Sequence, residues 1–384
     1  MEGGDSLRKV GFFMLGVTGG LLLLLPGLRL PWTRPVWWLS GAVLLLMIAS
    51  ALWSVDPGLC VKRIVVGGLI ALAVGGAVRQ MTARQTADWL TALMAAYVVL
   101  GLACEVLLLQ FRPWSGAYRF GGTTHPNTQG VICGLLFCSM LSRATLPSLP
   151  RRGRWLLATA AAALVLYLTK SRTAFAAALL AGGLLVWMRA TWSQRLASLV
   201  VSGTLLLAAV VAGLMLNLDS MNRLTDVLLL GRSEEASTLT GRLPLWEELS
   251  DSVAARPLLG HGFGSYWTPG TVFRVSDNQG WQIPHAHSGY FETLLNLGVV
   301  GLGLILLTLG SSALHAAAAD FRQPRAESGL TMTFVLFALV YSLADTAFAL
   351  PTLASFSLAL LVVQSCRLGE EWPAVADDRP AACS

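Results

Sequence analysis

The sequence predicts an all-α, polytopic membrane protein of about 11–12 transmembrane helices with one large loop that contains short amphipathic helices. Three observations carry that prediction. Of 384 residues, 55% are hydrophobic and only 12% are charged, and the mean hydropathy is +0.64, outside the range of a soluble domain. Apolar stretches near the ~20 residues needed to cross a bilayer recur along the chain. A single long interruption, between Leu216 and Ser288, breaks their rhythm.

The stretches fall at about 10–28, 36–53, 64–80, 89–109, 129–145, 155–169, 173–189, 197–216, 298–318, 329–347 and 352–366. The sixth and seventh are parted only by Lys170, Ser171 and Arg172. Arg8 and Lys9 precede the first as in a secretory signal, yet no small-residue cleavage site follows, so that stretch is expected to remain in the mature chain. The chain therefore divides into transmembrane helices over 1–216, a loop subdomain over 217–287, further transmembrane helices over 288–367 and a solvated tail over 368–384. There is no repeat and no low-complexity tract.

Orientation follows from the basic residues at span ends and in short connections. Alternating the stretches puts Arg79, Arg143, the cluster at 151–154, Arg189, Arg325 and Arg367 on one side, which is richer in cations than the other. That side is expected in the cytoplasm and the segment 217–287 outside it; eleven spans then put the N-terminus on the loop's side despite Arg8 and Lys9, unless a span is miscounted or the first stretch does not fully cross. The same bias explains the net charge of +6 without nucleic acid as a partner. Cys104, Cys133, Cys138 and Cys366 fall in apolar stretches, Cys60 in a short connection and Cys383 in the tail, with no CxxC pair. They are expected as small core residues, with no metal and no cofactor implied.

Inside the loop, TGRLPLWEELSDSVAARPLLGHGFGSYW has its own grammar. Thr240 or Gly241 can cap a helix that accepts Pro244 in its first turn, and Leu245, Trp246, Leu249 and Val253 recur at helical spacing before Arg256 and Pro257 close it. Such an amphipathic helix is suited to the bilayer surface. GHGFGS matches no Walker sequence and follows no predicted strand, so it reads as a glycine-rich turn.

Ionisable groups at membrane depth are costly and therefore informative. Lys170 suits the interface, reached by snorkelling, whereas Arg172 lies on the loop's side, where orientation needs few cations. Arg242 stands at the start of the amphipathic helix, where a cation opposes the helix dipole. Two readings of it stand: an anion ligand together with Arg172, or an exposed surface arginine. In YRFGGTTHPNTQG, Pro126 and Asn127 read as a capping turn, leaving Arg119 and His125 as candidate ligand contacts. The segment HAHSGYFE places His285 and His287 immediately before an apolar run. They serve either as local hydrogen-bonding groups or as proton acceptors near neutrality, and zinc would need more ligands than stand nearby. Glu292, five residues on, is off the face of His287 and a weaker partner than its proximity suggests. Glu105 is expected to pair internally or to sit protonated, Asp56 to form a turn, and Asp345 to pair with an arginine on its side.

Taken in order, WSVDP, RFGGTTHPN, TKSRTA, GRLPLW, RPLLGHGFGSYW and HAHSGYFETLLNLGVVGL make the chain resemble the O-antigen ligase and polymerase superfamily of bacterial envelope glycosyltransferases. The resemblance covers most of the chain. It implies an inner-membrane enzyme that takes a glycan from an undecaprenyl pyrophosphate carrier at the periplasmic face and joins it to an acceptor hydroxyl. That acceptor is lipid A core in a ligase and a second carrier-linked glycan in a polymerase. It implies further that Arg172 and Arg242 hold the pyrophosphate, with His287 the general base and His285 in support, without a metal. Arg119, His125, Lys170 and Glu292 stand as additional candidates. Relatives often carry asparagine where this chain has Ser288, and typically twelve spans. A transporter or flippase for a lipid-linked glycan is the rival of another class, but it predicts repeats and midplane charges that the sequence lacks. A non-catalytic membrane scaffold is a third reading.

Overall fold

The structure is a computed structural model, and it describes residues 2–30, 32–146, 151–215, 241–349 and 351–368. The stretch 217–240 of the loop, with Thr240, and the tail 369–384, with Cys383, lie outside the described residues. Among the described residues, eight α-helices precede the loop: α1 (Glu2–Leu24), α2 (Pro35–Ala49), α3 (Pro57–Gln80), α4 (Ala83–Leu107), α5 (Pro126–Ala144), α6 (Arg152–Leu168), α7 (Arg172–Arg189) and α8 (Trp192–Met215). The loop carries α9 (Arg242–Ala255) and α10 (Pro269–Gln279), and α11 (Gly289–Arg322), α12 (Ala326–Tyr341) and α13 (Leu353–Gln364) follow. There is no strand among the described residues, and every apolar stretch read from the sequence holds one helix.

Five of these are long and apolar enough to cross a membrane: α2 with its 3-10 extension to Leu52, α3, α4, α7 and α11. Lys9–Leu24, Ala326–Tyr341 and Leu353–Arg367 are shorter apolar helices. The last two are buried along much of their length by neighbouring helices, so packed protein surrounds them where a lone short helix would expose its ends to lipid.

Local chemistry starts the helices where the sequence places turns. Asp56 caps α3 by accepting from the Leu59 N–H at 2.9 Å, with Pro57 in the first turn. Thr82 and Gln85 form a capping box on α4. Five cysteines are free among the described residues, four of them buried, in keeping with their reading as core residues. The main core lies where α5, α7, α12 and α13 meet, with Phe334, Phe337 and Tyr341 of α12 stacked in sequence.

Helix directions sort the bundle into two ends. The loop face carries α9, α10, the start of α11 and the end of α12. The opposite face gathers Arg189 with Asp320, and Gln364, which donates to the Met81 carbonyl at 2.7 Å. Arg367 donates there to the carbonyls of Val78 and Arg29. α1 runs parallel to α3, with Gly16 against Leu69, Gly19 against Ala73 and the Leu28 N–H on the Arg79 carbonyl. The start of α1 is therefore at the loop face, the orientation that the charge pattern assigned to it.

The amphipathic helix of the loop differs from its expectation in one respect. Gly241, at φ 77°, takes the cap position of α9, and Arg256 ends it as predicted. Its apolar face is not offered to the bilayer: Leu245 and Leu249 are fully buried with Val275, Ile283, Ala286 and Leu295. α10, capped by Thr268 and closed by Gly280, supplies part of the surface that covers it.

The glycine-rich turn has a specific task. α11 breaks at Gly298, which sits at φ 65°, ψ −166°, and the freed backbone groups are satisfied by the turn. Val299 N–H bonds to Pro257, while His261 N–H and Gly262 N–H bond to the carbonyls of Leu295 and Asn296. A Cβ on Gly298 would stand 2.3 Å from the Leu258 carbonyl carbon, and one on Gly260 2.6 Å from the Asn296 carbonyl carbon. The glycines permit backbone to splice onto a broken helix.

Candidate functional site

The site is built around three consecutive residues at the loop face. Ala286 is held through both of its backbone groups: its N–H donates to Glu292 Oε2 at 3.0 Å, and its carbonyl accepts from Trp246 Nε1 at 2.9 Å. Trp246 is itself stacked on Phe291, ring centroids 5.7 Å apart. The two imidazoles on either side are thus projected from a clamped point. Their rings lie 4.1 Å apart, and the His287 N–H donates to His285 Nδ1 at 3.2 Å. Because that nitrogen accepts, a neutral His285 carries its proton on Nε2.

His287 adopts φ 50°, a left-handed conformation costly for a side chain of this size. The next residue, Ser288, caps α11, accepting from the Phe291 N–H and donating to the Ser342 carbonyl. Where relatives often carry asparagine, serine thus caps the helix here. Gly289 N–H meets the carbonyls of Ser342 and Asp345, both at 2.9 Å. This ties the start of α11 to the end of α12 and turns His287 inward.

His287 Nε2 is buried and has no hydrogen-bond partner among the described residues. Burial pushes its pKa from the ordinary imidazole value down to about 3. His285, Arg242 and His125 push the same way, while the Asp345 carboxylate opposes them. Those groups come from four separate elements, and each is close enough for its charge to be felt at one ring. Trp281 tilts over the same imidazole with centroids 5.2 Å apart.

The other residues singled out in the sequence divide by task. His125 caps α5, accepting from the Asn127 N–H. Arg119 donates to Asn127 Oδ1 at 2.8 Å and to the Thr169 carbonyl at 3.2 Å, and Lys170 donates to the Gly116 carbonyl. Both brace the 116–125 segment against the turn that begins α7. Arg172 opens that helix, whose Ser171 and Ala174 pack against Gly130 of α5, on the loop face beside the cap formed by His125. Arg242 opens α9.

Glu105 is paired internally: its carboxylate accepts from the Gly121 and Gly122 N–H groups and the Tyr118 hydroxyl, fastening the same segment from below. Asp345 accepts from the Tyr341 hydroxyl at 2.9 Å and the Thr346 N–H at 2.8 Å. Glu292 is 1% exposed and also accepts from Trp267 Nε1 and Asn296 Nδ2. Its partner is the backbone between the two histidines, as its displaced helical position allows. That clamp, and the tryptophans that complete it, left no mark in sequence spacing. Among the described residues no cluster of His, Cys, Asp and Glu groups gathers with the makings of a metal site.

Chemically, the arrangement offers a neutral ring nitrogen facing an open bonding position, with guanidinium and imidazole groups around it and a carboxylate behind. It can take a proton from a hydroxyl while cations nearby hold an anion.

Comparison with known proteins bears on this segment directly. Residues 157–306 match the family model described as O-Antigen ligase. The chain is also similar to the exopolysaccharide production protein ExoQ of Rhizobium meliloti (strain 1021), 27% identical over 214 residues that make up 52% of this chain and 47% of that protein. The chain thus spans about half the length of that relative. Both matches agree with the motifs: residues 157–306, which hold Arg172, Arg242, His285 and His287, are similar to the O-antigen ligase family, and the chain is similar to an exopolysaccharide production protein.

Proposed function

We propose that the protein transfers a glycan from an undecaprenyl pyrophosphate carrier to an acceptor hydroxyl at the periplasmic face of a bacterial inner membrane. The observation that carries this reading is the buried Nε2 of His287, which has no hydrogen-bond partner among the described residues and feels the charges of Arg242, His125 and Asp345. Arg242 and Arg172 hold the carrier's pyrophosphate, for which a planar guanidinium fork is suited. His287 then accepts the acceptor's hydroxyl proton as the oxygen attacks the anomeric carbon, and the carrier pyrophosphate leaves with the bonding pair.

The depressed basicity of His287 fits this sequence of events. In the free protein the ring is neutral, kept so by burial and neighbouring cations. A pyrophosphate bound at Arg242 offsets one of those cations, so the ring gains proton affinity once the donor is seated. The donor thereby prepares the base.

Two acceptors fit the same chemistry. Lipid A core makes the protein an O-antigen ligase, the principal reading. A second carrier-linked glycan makes it a polymerase, and the similarity to a protein named for exopolysaccharide production favours weighing that reading. Purified protein incubated with labelled carrier-linked glycan and each acceptor separately tests the choice. A ligase modifies lipid A core without lengthening free carrier-linked chains. Chain growth with unmodified core refutes the ligase reading, and no transfer to either refutes both.

A further inference from the structure

A cavity of about 410 Å³ lies between α2, α3, α11 and α13, away from the Arg172 and Arg242 helix starts. Its wall on α3 includes Arg63, Gly67, Ala71 and Gly75, each four residues after the last, flanked by Ile70 and Val74. On a helix that spacing makes one face, and twelve residues extend it about 18 Å along the axis. Three small residues keep the face open, and the arginine closes its loop-face end. The rest of the lining is mostly apolar, from Trp37 and Leu44 on α2 to Leu309 on α11 and Val362 on α13.

Arg63 is what an apolar cavity alone would not explain. It is half-buried, and among the described residues its guanidinium makes neither hydrogen bond nor ion pair, whereas Arg143 and Arg189 at the far end of the bundle each pair with a carboxylate. The carboxylate nearest along the lining, Glu292, is committed to Trp267, Ala286 and Asn296. The backbone makes room for Arg63: Gly264 is at φ +64°, and a Cβ there would stand 2.6 Å from Arg63 Cγ. A cation seated this way at the mouth of an apolar slot calls for an anion attached to hydrocarbon.

We propose that this cavity is a second lipid site, binding a membrane lipid whose phosphate sits on Arg63 and whose chain runs along the Gly67–Ala71–Gly75 face. Pro284 and Glu292 form part of its wall, and the next residues of the same segment are His285 and His287. On the transfer reading above, which this part alone rests on, a lipid held here is the acceptor, reaching the base from the side opposite the donor's arginines.

Native mass spectrometry of the full-length protein in neutral detergent tests the site, using dioleoyl phosphatidate, dioleoylglycerol and inorganic phosphate as probes. Phosphatidate should bind at least tenfold more tightly than dioleoylglycerol. Arg63→Gln should erase that preference, Ala71→Trp should abolish binding of both lipids, and Lys62→Gln, at the exposed neighbouring position, should leave it intact, with melting curves confirming that each variant folds. Equal binding of the two lipids, an unchanged preference in Arg63→Gln, or displacement of phosphatidate by equimolar inorganic phosphate each overturns the lipid site. In a transfer assay Arg63→Gln should raise the acceptor KM at least fivefold and leave the donor KM unchanged. A shift in the donor KM instead overturns the acceptor role, while selective phosphatidate binding with no transfer at all refutes the transfer reading and leaves the lipid site standing.

Discussion

The Arg189 guanidinium and the His287 imidazole are both buried polar groups at helix ends, and the fold treats them in opposite ways. Arg189 donates to both oxygens of Asp320, to the Ser142 and Arg325 carbonyls and to the Thr145 hydroxyl. Every direction of its fork is used, and the two side chains of the ion pair are 5% and 3% exposed. His287 instead is strained to φ 50° and left with an unused buried nitrogen, although the residue before it is clamped on both sides. Fully satisfied polar networks give rigidity. A buried polar atom that the surrounding protein leaves for another partner, held in a rigid frame, is a preorganised binding group of the kind found at binding and catalytic sites.

If that contrast is right, the two ends should respond differently to substitution. The largest effect belongs to His287→Ala, which should lower glycan transfer about 10²–10⁴-fold, the usual worth of a general base, with normal protein levels in the membrane. Transfer surviving at wild-type rate would return the histidines to a structural role. Arg189→Ala should act in the reverse sense, costing about 3–5 kcal/mol by stranding the buried Asp320 carboxylate. Thermal unfolding and membrane abundance would record that cost, with specific activity per folded molecule preserved.

Gly298→Ala tests the frame between them. It needs φ 65° and a Cβ 2.3 Å from the Leu258 carbonyl carbon, so a loss of about 2 kcal/mol or more in stability is expected. A stable variant with an intact site would show that the break in α11 is incidental. Arg242→Lys keeps the charge and loses the fork, and about a tenfold fall in donor kcat/KM should follow, equivalent to about 1.4 kcal/mol. Equal activity would shift Arg242 to the surface reading.

The smallest effect is on pH dependence. The folded pKa of His287, about 3, lies below its unfolded value near 6.5. The unfolded chain therefore takes up a proton that the folded one refuses, and stability falls as pH drops from about 6.5 towards 3. Wild-type protein should lose melting temperature over that window more steeply than His287→Gln. Parallel curves would place the ring in a more solvated setting.

Much of the bundle was legible because hydropathy and capping act over a few residues. The apolar stretches each hold a helix, Asp56 with Pro57 and His125 with Pro126 start helices at the expected turns, and the alternation of basic residues put the start of α1 on the loop's side. GRLPLWEEL was legible as a helix but not in its placement, since its apolar stripe is equally suited to lipid or to protein. Ile283, Ala286 and Leu295, distant in sequence, decide for protein. Glu292 was discounted by its spacing from His287, yet it matters through the Ala286 N–H, a backbone contact that no side-chain periodicity encodes. The glycines of GHGFGS gave no sign that their partner was a helix break some 35 residues on.

What the amino-acid order determined by itself, then, was an all-helical membrane bundle with a single substantial loop, and a short inventory of costly polar groups within it. Burial of apolar stretches and satisfaction of backbone groups in lipid leave a chain of this composition few other forms. Tertiary structure alone decided which of those groups meet. Arg242 and His125 come to His287 from elements more than forty residues away, and whether a cation meets a carboxylate, as Arg189 does, depends on which helices pack together. Electrostatic cost is set by surroundings in space, and those are written only in the folded chain.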